Sequence, residues 1–373
     1  MKLLSNSICP SVIALAILAT GCGSGSSDTS SPAAITYTTI NSSTPATNST
    51  SLTGIRGVSN SSNVYITGGA VTSSNVWSNQ LYVGPITGGG TYYTLNVPGS
   101  NSTTNAYSAD NWSGNQVEVV GSSTINGISR GFLYQGPVAN NNGVGTVGTA
   151  PWYDITYTSG GTVYPSIPHS VMNNIAVGGY QAGGVTAYIC DITSPATPIC
   201  NNMNSIFPST TLSSSAYGVW WNGGNSYTIT GGYSTALYTD LTTPNPVGSE
   251  AFIVDYNSST RTYSNFMSYS WKNDTTGIYS SHFEGITADL VKGGYNLPGE
   301  GILANGTMSV GFVHIARTAT GGFNPVATWI QVTYPGSTTT TADTVYQNNL
   351  LGVYKPGAQA LNGYVANIPI SLY

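Results

Sequence analysis

The sequence predicts an all-β protein, and three observations support this. Only 6% of the 373 residues are charged, so the Lys, Glu and Arg that populate exposed helical faces are scarce. There are 46 Gly and 26 Tyr, which suit turns and strands. Hydrophobic residues make up 40% of the chain, enough for a folded core, and they recur with strand-like spacing.

A pair of strand-like segments recurs six times along the chain. The first segment of each pair contains or ends in glycine, and the second places an aromatic residue within an apolar run. The first segments are residues 64–69, 117–121, 175–180, 227–233, 290–295 and 350–354. The second segments are residues 81–85, 131–137, 187–191, 251–255, 311–314 and 363–366.

Each unit carries two further strand candidates, which makes four short strands in about 50 to 60 residues. Those ahead of the glycine segment are residues 54–58, 106–112, 167–172, 216–221, 281–287 and 344–347. Those behind the aromatic segment are residues 92–97, 152–157, 204–207, 263–269 and 328–334. This pattern predicts a six-bladed β-propeller of four-stranded blades. A pair of β-sandwiches and a β-solenoid are the alternatives, but a solenoid has shorter repeats and no linker divides the chain midway.

The ring is predicted to close through a strand near the N-terminus. The last unit lacks a trailing strand, whereas residues 35–40 form a β-branched and aromatic island inside a polar segment. We expect residues 35–40 to pair with residues 362–372, because a strand lent from the other terminus covers both open sheet edges.

The N-terminus reads as an export signal followed by a tether. Lys2 precedes an apolar run over residues 8–19, and the run is too short to span a bilayer. Residues 19–22, Ala-Thr-Gly-Cys, resemble the lipobox of bacterial lipoproteins, which implies lipidation at Cys22. The predicted organisation is a signal peptide over residues 1–22, a Ser/Thr/Gly-rich tether over 23–53 and a propeller over 54–373.

Export fits the expected compartment and the remaining cysteines. We expect an outer-membrane lipoprotein or cell-surface protein, attached to the membrane through its lipid alone; secretion and a periplasmic location are the alternatives. Cys190 and Cys200 are predicted to form a disulfide that closes a hairpin, because two thiols without a nearby His fall short of a zinc site. The basic residues are scattered singly, so nucleic acid is not an expected partner.

The innermost strands of a propeller line its channel, and a mouth of that channel is the expected site. His282 and Glu284 lie on the same side of one strand, so they could act as acid and base or help to bind a cation. A structural role for each His, and an ion pair between Glu284 and Arg56, are the alternatives. The candidate ligand-binding residues are Arg56, Tyr107, His169, Tyr217, Trp220, Trp221, His282 and Glu284, with Tyr346 nearby, and the catalytic candidates are Glu284, His282 and Asp110.

The segment Gly131-Phe132-Leu133-Tyr134 resembles a strand of the uncharacterised extracellular-repeat lipoproteins of bacteria. That resemblance, over most of residues 54–373, implies a surface propeller in an exported protein and carries over no active-site residue.

The sequence contains no named catalytic signature, and it predicts no metal site and no cofactor. We therefore favour a non-catalytic binding or scaffold module for a glycan, a peptide or a surface protein. The alternative is a carbohydrate-active enzyme, a glycoside hydrolase or lyase, with its site at the channel mouth.

Overall fold

The computed structural model describes residues 33–41, 49–71, 77–100, 104–143, 145–239, 241, 249–271, 278–303 and 308–373. The signal peptide, Cys22 and most of the tether lie outside these residues. Ala34–Tyr373 forms one compact unit. Within the described residues, no helix has the length and apolar character needed to cross a membrane.

The described chain is all-β and forms six four-stranded blades, which confirms the predicted propeller. In blades one to four, the strands run from the channel outwards. Blade one consists of Thr50–Gly57, Val64–Val71, Trp77–Gly84 and Thr91–Asn96. Blade two consists of Thr104–Trp112, Gln116–Ile125, Ile128–Pro137 and Trp152–Asp154. Blade three consists of Ser166–Met172, Ile175–Gln181, Val185–Asp191 and Ile199–Asn202. Blade four consists of Ser213–Gly223, Ser226–Ser234, Ser249–Asn257 and Thr262–Tyr269.

The inner strands of the last two blades are each interrupted once. Blade five consists of Ile278–Phe283 with Thr287–Ala288, then Tyr295–Leu303, Met308–Ile315 and Thr328–Gln331. Blade six consists of Thr339–Thr340 with Thr344–Tyr346, then Asn349–Lys355, Asn362–Asn367 and Thr36–Thr39. The remaining short elements are Asn141–Asn142, Thr158–Ser159, Thr162–Val163 and the 3₁₀ turns Asn204–Ile206 and Ile370–Leu372.

The predicted closing strand is confirmed. Thr36–Thr39 is antiparallel to Asn362–Asn367, with Thr36 opposite Asn367 and Thr39 opposite Tyr364. Ile40 then donates its N–H to the Gly363 carbonyl at 2.9 Å, and its side chain is only 3% exposed. The inner strand of blade one begins at Thr50, four residues before the predicted boundary of the propeller at residue 54.

A bulge in the inner strand explains the recurring glycine. In blade four, Tyr217 is an extra residue between Ala216 and Gly218, which lie opposite Gly231 and Thr230. The bulge brings backbone so close that a Cβ on Gly231 would lie 2.1 Å from the Ser215 carbonyl oxygen. The equivalent glycines, each with a carbonyl oxygen at 2.0–2.2 Å, are Gly68, Gly121, Gly178 and Gly352. The glycine motif therefore marks a bulge in the neighbouring strand.

The predicted disulfide is confirmed, but the prediction for the outer strand of blade three was wrong. Cys190 and Cys200 are bonded and lie directly opposite each other on adjacent strands. That pairing makes Ile199–Asn202 the outer strand, rather than the predicted residues 204–207. Residues 204–206 instead form a 3₁₀ turn, in which the Asn202 side chain accepts the Asn204 N–H.

The prediction for the second strand of blade five was also wrong. Residues 290–295 match the glycine pattern, yet residues 290–294 form a turn that leaves Leu290 80% exposed. The Asp289 carboxylate accepts the N–H groups of Val291 and Lys292, which folds this segment into a turn. The second strand is Tyr295–Leu303, where Pro298 takes the place of the expected glycine opposite the aromatic Phe312.

Candidate acid–base site

The bulge places one residue of each blade at an equivalent position on the inner strand. In blades one to four, the extra residue is identified by the shift in strand register. In blades five and six, the paired residues on either side of the interruption are four positions apart on the inner strand but only three apart on the neighbouring strand. The inner strand therefore has one extra residue there. Each bulge residue is followed by Gly, Ser or Thr and then by a buried apolar residue. On this pattern the six bulge residues are Thr53, Tyr107, His169, Tyr217, Glu284 and Asp343.

Five of these positions surround one end of the channel. A narrow cavity of about 10 Å³, room for about one water molecule, is lined by residues that include Thr53, Tyr107, His169, Tyr217 and Glu284. Their rings follow one another round the wall: the centroids of Tyr107 and His169 are 5.0 Å apart, and those of His169 and Tyr217 are 4.7 Å apart. The Tyr217 ring is 5.4 Å from the ring of His282. The structure thus brings together four of the predicted ligand-binding residues with Glu284.

His282, Glu284 and Glu300 form the chemical centre of this end. His282 lies directly opposite Glu300 on the neighbouring strand, and Glu284 is two residues further along the His282 strand. The Nε2 atom of His282 is 2.5 Å from Glu284 Oε1 and 3.5 Å from Glu300 Oε2. The side chains of His282 and Glu300 are 5% and 8% exposed, whereas that of Glu284 is 23% exposed. Glu284 is therefore the carboxylate that solvent or a ligand reaches most readily.

A third carboxylate, that of Asp343, lies close enough to Glu300 and Glu284 to interact with their charges. The N–H of Ala342 donates to Glu300 Oε1 at 2.9 Å, and the Thr341 hydroxyl donates to Asp343 Oδ2 at 3.1 Å. Burial, together with the charges of Glu300 and Glu284, raises the pKa of Asp343 well above its usual range. Within the described chain, no Lys or Arg forms an ion pair with any of these three carboxylates.

The protonation of the two glutamates is set by burial and by His282. Burial raises the pKa of Glu300 to about 7, although the charge of His282 opposes this rise. Burial alone would lower the pKa of His282, but the charge and hydrogen bond of Glu284 and the charge of Glu300 raise it above its usual value. Burial lowers the pKa of His169 to about 4, so that imidazole is neutral. A buried acid that holds its proton near neutrality suits general acid catalysis.

Arg56 lies across the channel and does not form the ion pair with Glu284 that we considered. Its guanidinium donates to the carbonyl oxygens of Ile286 at 2.9 Å and of Val219 at 2.6 Å. Arg56 thus ties blade one to blades four and five through their backbones. The Trp220 ring stacks on the guanidinium, with its centroid 5.2 Å away. Arg56 also lines the cavity together with the bulge residues.

The other sequence candidates lie away from the acid pair. Asp110 is three residues beyond the bulge, at the level of Arg56, and its carboxylate accepts backbone N–H groups of Asn111 and Asn173. Trp221 is 37% exposed and donates its indole N–H to the Gly224 carbonyl. Trp220 and Trp221 thus have different surroundings, as neighbouring residues of a strand do.

Two members of the centre were not among the sequence candidates: Glu300 and Asp343. Glu300 was missed because residues 290–295 imitate the glycine motif and drew the second strand away from Tyr295–Leu303. The available signal was the Gly-Glu-Gly sequence at residues 299–301 that precedes the aromatic strand. Asp343 was missed because it precedes a predicted strand rather than lying within it; its signal is the same acidic–small–β-branched order as at Glu284.

Another buried carboxylate, Glu118, gives a testable dependence of stability on pH. Glu118 lies opposite both Asp110 and Gln135, and its Oε1 is buried without a hydrogen-bond partner in the described chain. Burial, aided by the charge of Asp110, raises its pKa to about 8. The folded state therefore holds this proton more tightly than the unfolded state, and the free energy of unfolding falls as pH rises from about 4.5 to 8.

We expect Glu118→Gln, which keeps the shape and removes the titration, to be the more stable protein at pH 8 by a few kcal/mol. Urea unfolding at pH 5 and at pH 8 would measure this. The loss of stability between these two pH values should be smaller in the variant than in the wild type. Equal losses in both proteins would show that Glu118 does not titrate in this window.

The comparisons with known proteins give a fold similarity and no family. No family model matches the sequence, and no curated protein matches it. Among solved structures, the chain is similar to an α-L-arabinofuranosidase from Podospora anserina in complex with cellotriose, with 9% identity, a TM-score of 0.37, and coverage of 89% of this chain and 97% of that one. It is also similar to the catalytic domain of a GH62 α-L-arabinofuranosidase from Coprinopsis cinerea, with 9% identity, a TM-score of 0.35, and coverage of 88% and 96%. These similarities are too weak to assign an activity, which has to be argued from the residues of this chain.

Proposed function

We propose that this protein is a carbohydrate-active enzyme that hydrolyses a glycosidic bond at the acidic end of its channel. The observation that carries the proposal is the pairing of two carboxylates: donor atoms of His282, Glu284 and Glu300 all lie within 4.8 Å of one another. Glycoside hydrolases that retain configuration place their two carboxyl groups about 5 to 5.5 Å apart. The pair therefore supports hydrolysis better than the non-catalytic role favoured by the sequence alone.

The two glutamates differ in the way that such a reaction requires. Glu300 is the more buried, and its pKa of about 7 leaves it protonated in weakly acidic solution, so we assign it as the general acid. Glu284 is more exposed and is paired with His282, whose raised pKa favours an imidazolium that stabilises the Glu284 carboxylate. Glu284 is therefore the nucleophile.

The reaction then has two steps. Glu284 attacks the anomeric carbon while Glu300 gives its proton to the glycosidic oxygen, and the aglycone leaves as an alcohol. Glu300 next removes a proton from water, which attacks the same carbon and releases Glu284. Because the first step needs the Glu300 proton, the activity falls as pH rises through about 7.

The shape of the cavity indicates a small substrate group. Arg56 crosses the channel, and the cavity that Glu284 lines is narrow, with a volume of about 10 Å³. A sugar ring therefore reaches Glu284 only if the side chains at this end move apart on binding, and the rings of Tyr107 and Tyr217 would then pack against its apolar face. An enzyme that removes sugars from chain ends fits this arrangement better than one that cuts within a chain.

The test is hydrolysis of a panel of aryl glycosides and oligosaccharides by the purified protein in the presence of EDTA. We expect release of a terminal sugar with retained anomeric configuration. Proton NMR of the reaction mixture would detect the product and its anomeric configuration. Binding of a glycan without turnover would instead support the non-catalytic module, for which a glycan and peptide array is the direct assay. The absence of both hydrolysis and glycan binding would exclude carbohydrate as the substrate class.

We also propose that the protein is exported and held at the outer membrane or cell surface by lipid on Cys22. The support is the charged start, the short apolar run and the lipobox-like residues 19–22. In a diderm bacterial host, Cys22→Ser is expected to move the protein from the membrane fraction to the soluble fraction and to abolish labelling by a palmitate analogue. An unchanged distribution and unchanged labelling would exclude the lipid anchor.

A further inference from the structure

We infer that His282, Glu284 and Glu300 also form a binding site for a divalent transition metal, and that the metal competes with the acid–base reaction. This inference goes beyond the proposed function, because metal binding can be measured without any substrate. The three donors come from two adjacent strands and converge on one point, with all of their nearest atoms within 4.8 Å.

The spacing of the donors is close to that of a metal site. Ligands bonded at about 2.0 to 2.1 Å in a tetrahedral site lie about 3.4 Å apart. His282 Nε2 and Glu300 Oε2 are already 3.5 Å apart. His282 Nε2 and Glu284 Oε1, at 2.5 Å, share a hydrogen bond that a metal would replace by moving the two atoms apart by about 1 Å.

The side chains have the freedom and the support for that change. Nδ1 of His282 is buried and has no hydrogen-bond partner in the described chain, so the imidazole is held by its burial and by Glu284, and Glu284 is the group that has to move. Glu284 is the most exposed of the three, which leaves it free to turn. Glu300, in contrast, is fixed by the Ala342 N–H on Oε1, which leaves Oε2 directed towards His282.

The charges around the centre provide an independent reason for a cation. Asp343 adds a third carboxylate beside Glu300 and Glu284, and the ion pairs of the described Arg residues are made elsewhere. Arg56 directs its two terminal nitrogens at backbone carbonyls rather than at these groups. A divalent ion would compensate carboxylates that now depend on a single imidazole and on protons.

The donor types select the metal. One imidazole nitrogen and two carboxylate oxygens, with room for water as a further ligand, suit Zn²⁺. Ca²⁺ takes six to eight oxygen ligands, more than this narrow cavity offers. A metal at this point would occupy both Glu284 and Glu300, so the inference predicts that Zn²⁺ inhibits any hydrolysis carried out by that pair.

Calorimetric titration of Zn²⁺ into the EDTA-treated, dialysed protein is the test. We expect one saturable site, with affinity reduced about tenfold or more in both His282→Gln and Glu300→Gln and no comparable site for Ca²⁺. The matched control is His314→Gln, because His314 Nδ1 lies 3.5 Å from an Asp289 carboxylate oxygen outside the channel. Circular dichroism and thermal melting would establish that each variant is folded.

The possible outcomes are distinct. Loss of binding in the two channel variants but not in His314→Gln supports the site. No saturable binding, or loss only in His314→Gln, overturns it; if one channel variant fails to fold, the other decides. Hydrolysis that is insensitive to Zn²⁺ in a protein that binds it at His282 overturns the competition. Zinc binding in a protein without hydrolysis would leave the metal site standing and remove the proposed function alone.

Discussion

Glu300→Gln is expected to lower kcat/KM roughly 10²- to 10⁴-fold for glycosides with poor leaving groups, and far less for aryl glycosides with good ones. A glutamine at this place can still accept the Ala342 N–H at its side-chain oxygen, but it has no proton to give to the departing oxygen. A good leaving group departs without that proton, so its hydrolysis depends less on Glu300. Kinetics with a series of aryl glycosides of graded leaving-group pKa would measure the difference.

Glu284→Gln provides the contrast within the same site. Because Glu284 is assigned as the nucleophile, its loss should slow hydrolysis of all leaving groups alike. The matched control is Glu250→Gln in blade four, since Glu250 accepts a hydrogen bond from the Tyr233 hydroxyl and is not part of the cavity. Equal effects of both channel variants across the leaving-group series would contradict the division of roles between acid and nucleophile.

Ile40→Ala is expected to lower the free energy of unfolding by about 2 to 5 kcal/mol. Ile40 directly follows the closing strand Thr36–Thr39, is 3% exposed, and packs with Leu52, Ile66, Leu351 and Val365 from blades one and six. Its truncation opens a cavity at the seam where the ring closes. Denaturant unfolding followed by tryptophan fluorescence would measure the change.

The control for this seam is Thr36→Ala, an exposed residue of the same strand, which should change the free energy of unfolding by less than about 0.5 kcal/mol. Equal and small effects of both substitutions would mean that the ring does not depend on the closing strand. A large effect of Ile40→Ala with an unchanged propeller core would place the weakness at the seam.

The arrangement of the blades could be predicted because short sequence patterns recur in each blade. In five of the six blades the bulge brings a carbonyl oxygen so close to the next strand that only glycine fits, as at Gly231, so the recurring glycine marks the blades; blade five has Pro298 at this place. The closing strand was visible because Ile35, Tyr37 and Ile40 stand out in a Ser/Thr-rich tether. Both signals arise from contacts between adjacent strands, and such contacts restrict the residue types at regular positions in the sequence.

The acid–base centre could be predicted only in half. His282 and Glu284 were identified because alternation on one strand places them on the same side. The position of Glu300 opposite His282 depends on the register of a second strand that begins at Tyr295. The sequence prediction placed this strand too early, because the turn stabilised by Asp289 matches the glycine pattern. Asp343 lies one residue before the strand Thr344–Tyr346, so it fell outside the inner strand that the sequence predicts for blade six.

The hydrogen-bond partners of Arg56 could not be predicted from the sequence, for a different reason. Its partners are the backbone carbonyls of Val219 and Ile286, in blades four and five. Carbonyl groups exist at every position, so no residue type marks these two as acceptors. Only the closed ring, which brings distant inner strands round one axis, defines the contact.

The proposed function depends on Glu284 and Glu300 acting together as a carboxylate pair, with Glu284 as the nucleophile. Incubation with a panel of cyclitol aziridines, which react with the nucleophile of retaining glycosidases after protonation by the acid, followed by peptide mass spectrometry, tests it most directly. One label per chain is expected, attached to Glu284, together with much slower labelling of Glu300→Gln. Labelling at another carboxylate such as Asp110, or hydrolysis of glycosides without any label at Glu284, would contradict it.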